Sequence, residues 1–171
     1  KCWIFAEVAM EVLEYVMVEI YGIHEDKIVH VFSGNKGCHT WILEEKLFDL
    51  KDSARKTIID NVMLKNTSKS VQDGIYNICK KHYDILKTKD YALRFCATFF
   101  HAGSLREDIL HYFLPKFDED VTKSSTHLTK IPFSMHPTTG KIATIIDKKT
   151  KKPMSFEESV QYLRNLSVKK L

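Results

Sequence analysis

The sequence predicts an α/β (α+β) fold, a mixed-sheet core into which a helical subdomain is inserted. Three observations predict it. Two β-rich runs, residues 28–32 and 38–43, flank a short Gly-bearing turn, which is the pattern of a hairpin. From Asp49 to Leu114 the apolar residues keep helical spacing, broken only by polar joints. The last third then becomes rich in Pro, Gly, Ser and Thr around a strand candidate, Ile142-Ala143-Thr144-Ile145-Ile146. On this reading residues 1–48 and 115–171 form the core and residues 49–114 the inserted helices. The strands near Val31, Thr40, Val121 and Ile145 are expected to share one sheet region.

The elements follow in order. Over residues 2–21, Trp3, Phe5, Val8, Ala9, Val12, Leu13, Val16 and Ile20 recur at helical spacing, and Glu7, Glu11 and Glu14 line much of the other side. Gly22 stands where a helix C-cap belongs. After the hairpin, residues 44–64 read as one helix with Leu47, Leu50, Ala54, Ile58 and Val62 as its inner stripe. A polar break at residues 66–70 offers N-caps for a helix over residues 71–86. Another helix is expected over residues 90–100. A third runs over residues 104–114, with Ser104 as N-cap, Glu107 completing a capping box and Pro115 ending it. Residues 148–153 form a basic turn, and Ser155 opens a final helix that ends near Leu166.

Composition bounds the function. The 171 residues suffice for one domain with its own core, and 44% hydrophobic with 28% charged residues is a globular balance. No apolar run is long enough to span a bilayer, and no membrane partner is expected. The net charge of +4 accommodates a polyanion without requiring one. Cys2, Cys38, Cys79 and Cys96 lack paired spacing, so reduced intracellular thiols are expected rather than a disulfide framework. Cys79 and Cys96 read as core thiols, and His82, His101 and His111 as packing or surface residues. The chain opens on Lys1, from which a piece of a longer protein is expected.

Two stretches carry chemistry. In VFSGNKGCHTW, residues 31–41, the glycines allow positive φ and close backbone approach, Ser33 offers a hydroxyl, Lys36 a cation and His39 an imidazole. That set suits phosphate. The second stretch begins with Asp118, Glu119 and Asp120, then reaches Lys130 and His136 beside two prolines. A carboxylate able to hold a divalent cation, followed by groups able to hold phosphate oxygens, supplies parts for nucleotidyl transfer. The same residues also fit an ordinary hairpin and solvated loop charges.

Taken together, VFSGNKGCHTW resembles the S-G-R-R-G-x-H-x-W hairpin of the small, catalytic subunit of archaeal and eukaryotic DNA primases. FDEDVTKSSTHLTKIPFSMHPTTGKI, residues 117–142, is similar to that family's second signature, an acid before V-T/S and then L-x-K-x-P-x-S-x-H-x-x-T/S-G. Order and separation both fit, and the helical middle carries no matching motif. The resemblance implies a prim-type core and synthesis of short RNA primers on single-stranded DNA from nucleoside triphosphates with Mg²⁺ or Mn²⁺. It implies that Asp118 is a catalytic, metal-binding acid. It implies that Ser33, Lys36 and His39, then Lys130 and His136, contact nucleotide phosphates, and that Lys116 stands where eukaryotic members usually have Arg. Cys2 matches a ligand of a structural zinc whose partners lie upstream.

Two departures matter. Asn35 replaces the first hairpin Arg and removes a fork donor. The family's D-x-D acid pair does not precede the hairpin here, so a cut chain or a non-catalytic copy is expected of this piece by itself. A viral or mobile-element primase-polymerase using deoxynucleotides shares the same motifs. The family further implies a large-subunit partner with an iron–sulfur cluster and an association with DNA polymerase alpha. It implies the nucleus as location in a eukaryote, and the cytoplasm for an archaeal or viral protein. The basic turn of Lys148, Lys149, Lys151 and Lys152 reads either as a solvated loop or as a contact to a nucleic-acid backbone.

Overall fold

A computed structural model describes residues 3–65, 67–88, 104–123 and 131–168. Helices accompany a small antiparallel sheet, so the α/β class expected of the sequence is the class observed. The chain divides into two compact units, one of Lys1–Ile23 with Leu50–Ser125 and the other of His24–Asp49 with Thr126–Leu171.

The first unit is helical. Helix α1 spans Trp3–Glu19 and buries Val8, Val12 and Val16. It ends at Gly22, whose φ of +61° lets its N–H reach the Val18 carbonyl while Ile23 N–H reaches Met17. Helix α2 spans Asp52–Val62 and α3 spans Lys69–Lys87. Ser68 caps α3 by accepting from Val71 N–H. Helix α4 spans Leu105–Phe113, and its capping box of Ser104 and Glu107 is formed as expected. Ile75, Cys79 and Tyr83 of α3 meet Val8, Val12 and Val16 of α1 with Ile109 and Phe113 of α4 in one apolar core. Burial pushes the Cys79 thiol up to about 12, in keeping with a core thiol. The expected helix over residues 90–100, Cys96 and His101 lie outside the described residues.

Two expectations need correction. Residues 44–64 are not one helix: a 3-10 turn, Glu45–Leu47, is followed by a break before α2. Lys51 is extended at φ −66°, ψ 156°, which keeps the turn and α2 from joining into one helix, and Phe48 beside the turn is 54% exposed. Val121 is not in a strand. It lies in a short helix, α5, Glu119–Lys123, which packs on α2. Asp118 starts this helix, because its Oδ1 accepts from Val121 N–H at 3.2 Å and its carbonyl from Thr122 N–H at 3.0 Å. That local cap outweighs the strand preference of Val121-Thr122.

Inside the helical unit Glu11 is held between Lys81 and His82 of α3. Lys81 Nζ donates to its Oε2 at 2.7 Å, and the buried His82 brings Nε2 to 3.1 Å from Oε1 without the alignment of a hydrogen bond. Contact with His82, against some loss of hydration and with help from Lys81, lowers the Glu11 carboxyl from 4.5 to about 2. A lowered folded pKa stabilises above the unfolded value, and that gain disappears as pH falls from 4.5 to about 2. With its side chain 22% exposed, the full gain is roughly 2–3 kcal/mol. Glu11→Gln is therefore expected to lower neutral-pH stability by that order and to flatten the acid limb. Urea unfolding of both proteins, at neutral pH and in acid, measures the difference.

The second unit holds the sheet. Strand β1, Ile28–Phe32, pairs antiparallel with β2, Cys38–Ile42, in a register that sets Val31 opposite His39 and His30 opposite Thr40. His30 Nδ1 lies 2.8 Å from Thr40 Oγ1 across the strands. The free edge of β1 is taken by residues 142–146: Phe32 N–H donates to Thr144 O and Ile146 N–H to His30 O, both at 2.8 Å. The other edge of that segment pairs with residues 133–136 near its start and with Pro153 and Met154 at its end. Helix α6, Phe156–Val168, covers one face. Its Tyr162, Leu163 and Leu166 pack on Val29, Val31, Ala143 and Ile145. Ser155 caps α6 through a mutual bond pair with Glu158, and Ser159 Oγ accepts from Ile145 N–H.

Candidate nucleotide site

The hairpin and the end of the second signature, residues 133–141, meet within the second unit. The hairpin turn closes by a bond from Ser33 N–H to Gly37 O at 3.0 Å. Gly34 then takes φ +84°, a left-handed backbone open to glycine. A Cβ at this position would lie 2.8 Å from the Lys141 carbonyl oxygen and 2.9 Å from His136 Cβ. Only a residue without a side chain allows the hairpin to come this close to the loop of residues 136–141. The contact is clasped by Thr139, whose Oγ1 donates to the Gly34 carbonyl at 2.6 Å.

The loop is itself braced. His136 N–H donates to Lys141 O at 2.8 Å and Gly140 N–H to His136 O at 2.9 Å, with Gly140 at φ +67°. Thr138 N–H donates to His136 Nδ1 at 3.2 Å. An Nδ1 that accepts carries no proton, so in the neutral ring the proton sits on Nε2. His136 therefore presents an Nε2–H donor, the polarity that a phosphate oxygen requires. Ser33 is half-buried, Lys36 is exposed at the tip, and His39 is half-buried on β2 opposite Val31. One hydroxyl, one ammonium and two imidazoles thus belong to a hairpin and loop that touch.

The remaining site residues sort differently. Lys116 is exposed and belongs to the helical unit, as does Asp118. Asp118 is exposed and engaged with Val121 N–H. Lys130 and Cys2 lie outside the described residues. Among the described residues no group of three or more His, Cys, Asp or Glu side chains is arranged to hold a metal ion. No described helix is long and apolar enough to cross a membrane. Thr139 was not singled out by sequence reasoning. Its place directly before Gly140 in the second signature was the available signal, since a hydroxyl beside a turn glycine suits a clasp to backbone.

Comparison with known proteins bears on the same residues. The family model of the DNA primase small subunit matches residues 1–148. The chain is 25% identical to the DNA primase small subunit of Saccharomyces cerevisiae, over 86% of this chain and 52% of that protein. It is 24% identical to the DNA primase small subunit of Schizosaccharomyces pombe, over 86% of this chain and 46% of that protein. The chain spans about half the length of these curated relatives.

Proposed function

The chain belongs to the DNA primase small subunit family, and from that premise we propose that it is part of a primase, a nucleotidyltransferase that makes short RNA primers on single-stranded DNA for replication. The observation that carries this reading is the clasp between the hairpin and the 136–141 loop, made by Thr139 on Gly34. It brings the turn that carries Ser33 and Lys36 against the loop that carries His136. Ser33, Lys36, His39 and His136, joined by Lys130, would bind the triphosphate of an incoming nucleotide and offset the charge that grows on its phosphates during transfer. His136 would act through its Nε2–H. Lys116 would add a further cation.

Mg²⁺ or Mn²⁺ would be the metal of such a reaction. The described residues do not by themselves fit one, because no three ligating side chains among them, Asp118 included, come together. Asp118 would serve only together with acids from outside the described residues. A structural zinc on Cys2 rests on the resemblance alone. Template DNA, nucleoside triphosphates, an iron–sulfur large subunit and DNA polymerase alpha are the partners this reading brings, with the nucleus as location in a eukaryotic cell.

The test is nucleotide binding. His136→Ala, Lys130→Ala and His39→Ala are each expected to weaken triphosphate binding by on the order of 1–3 kcal/mol, the scale of a lost charge-assisted hydrogen bond. Isothermal titration with a nucleoside triphosphate and Mn²⁺ measures this. Equal affinity in all three variants would leave the clasp a structural feature only and remove the reading.

A further inference from the structure

The segment of residues 142–146 has a loop at each end. Its first residue follows the 136–141 loop. Beyond its last residue the chain turns back through Asp147-Lys148-Lys149-Thr150-Lys151-Lys152, where four of five consecutive positions are Lys. Charges of one sign crowded on a tight turn repel each other, and a polyanion relieves that repulsion.

The turn is built to hold them. Asp147 N–H donates to Lys152 O at 2.8 Å, and Lys151 N–H to Asp147 O at 2.9 Å. Asp147 Oδ1 accepts from Thr150 N–H at 2.6 Å and from Lys149 N–H at 3.1 Å. These bonds, Thr150 first, keep the Asp147 carboxyl below its usual range, so the one acid of the turn is spent on its backbone. Lys148 Nζ donates to the Glu25 carbonyl oxygen, which ties the turn to the 3-10 turn Glu25–Lys27. The acidic side chains of that neighbour are Glu25 and Asp26, and Asp26 lies 3.6 Å from His24. Lys149 and Lys152 are exposed.

We infer that the turn of residues 147–152 is a contact for the phosphate backbone of nucleic acid, set at the opposite end of a strand from the clasped nucleotide loop. The inference rests on the nucleotidyl-transfer reading and extends it to four side chains outside both signatures. Five residues of strand cover about 17 Å, the rise of about five nucleotides of B-form DNA. One strand can therefore place a reacting phosphate at one end and a backbone phosphate several nucleotides away at the other. Lysines are point charges, and the turn has no Arg, Asn or Gln to read base edges, so the contact is independent of sequence.

The test uses the full-length protein and a short fluorescein-labelled single-stranded oligodeoxynucleotide, titrated by anisotropy at several salt concentrations. Lys149→Ala/Lys152→Ala is expected to weaken binding on the order of tenfold at low salt, and to make the slope of log K against log salt shallower by about 1–2. The loss should be equal for oligonucleotides of different sequence. Lys46→Ala/Lys51→Ala, which removes two exposed lysines elsewhere, should change either quantity much less. Triphosphate affinity, measured in parallel, should be the same in the turn variant and the parent. Unchanged DNA affinity in the turn variant, or an equal loss in the control pair, overturns the proposal. If the parent binds DNA through this turn but binds no triphosphate, the backbone contact stands and the nucleotide reading falls.

Discussion

Gly34→Ala is expected to cost on the order of 2–4 kcal/mol of stability and to reduce triphosphate affinity at least about tenfold. The first contribution is conformational, since φ +84° places a Cβ against its own backbone. The second is steric. The new methyl would lie 2.8 Å from the Lys141 carbonyl oxygen and 2.9 Å from His136 Cβ, and neither atom is the far end of a flexible side chain. The 136–141 loop must retreat, and the Thr139 bond to the Gly34 carbonyl goes with it. Gly37→Ala is the control. Gly37 has no positive φ, and a methyl added there would meet nothing within 4 Å, so its effect should be within about 1 kcal/mol. Thermal unfolding with and without nucleotide reads both quantities. If both variants behave alike, the close approach at Gly34 is not what holds the site.

Asp118→Asn in the full-length protein is expected to lower primer synthesis by orders of magnitude while leaving folding nearly intact. The substitution separates two roles of one side chain. Asp118 Oδ1 accepts from Val121 N–H at 3.2 Å, and Asn retains an oxygen able to do so. What it loses is the charge, which is the property the proposed chemistry uses. Asp120→Asn is the companion. Asp120 is in helix α5 with its Oδ1 3.6 Å from Lys123 Nζ, an exposed pair worth little. Dinucleotide formation on a poly-pyrimidine template with Mn²⁺ should survive in Asp120→Asn and fail in Asp118→Asn. The reverse result would move the acid by two residues, to Asp120. Full activity in both would remove Asp118 from the chemistry.

The legibility of this chain was uneven, for physical reasons. Helix ends with strong local signals, Ser104 with Glu107 and Gly22, were readable because capping depends on neighbours three or four residues away. The hairpin at residues 28–42 was readable for the same reason: its turn and its two β-rich runs are local. The strand reading at Val121-Thr122 failed because β propensity reflects packing on a sheet, whereas the Asp118 cap acts at once on the next turn. The long helix over residues 44–64 failed because apolar spacing runs on across the extended backbone at Lys51, which separates the 3-10 turn from α2. Of the site, the residue types were legible. The touching of Gly34 with His136 and Lys141, about a hundred residues on, depended on tertiary placement that spacing alone does not encode.

The sheet-bearing unit is assembled from two stretches of chain, and this dictates when it can form during synthesis. The hairpin leaves the ribosome first, with the outer edge of β1 unpaired and Val29 and Val31 uncovered. A lone two-stranded hairpin is marginal in water. The segment that closes its edge, residues 142–146, and helix α6 that covers its face arrive about a hundred residues later. At a typical 5–20 residues per second the delay is roughly 5–20 s. The helices made in the interval have α1, already synthesised, to pack against and can build their own core while the hairpin waits. A nascent chain stalled before Ile142 therefore offers a bare strand edge to any neighbour that can pair with it, and one stalled after Val168 has that edge filled by its own chain.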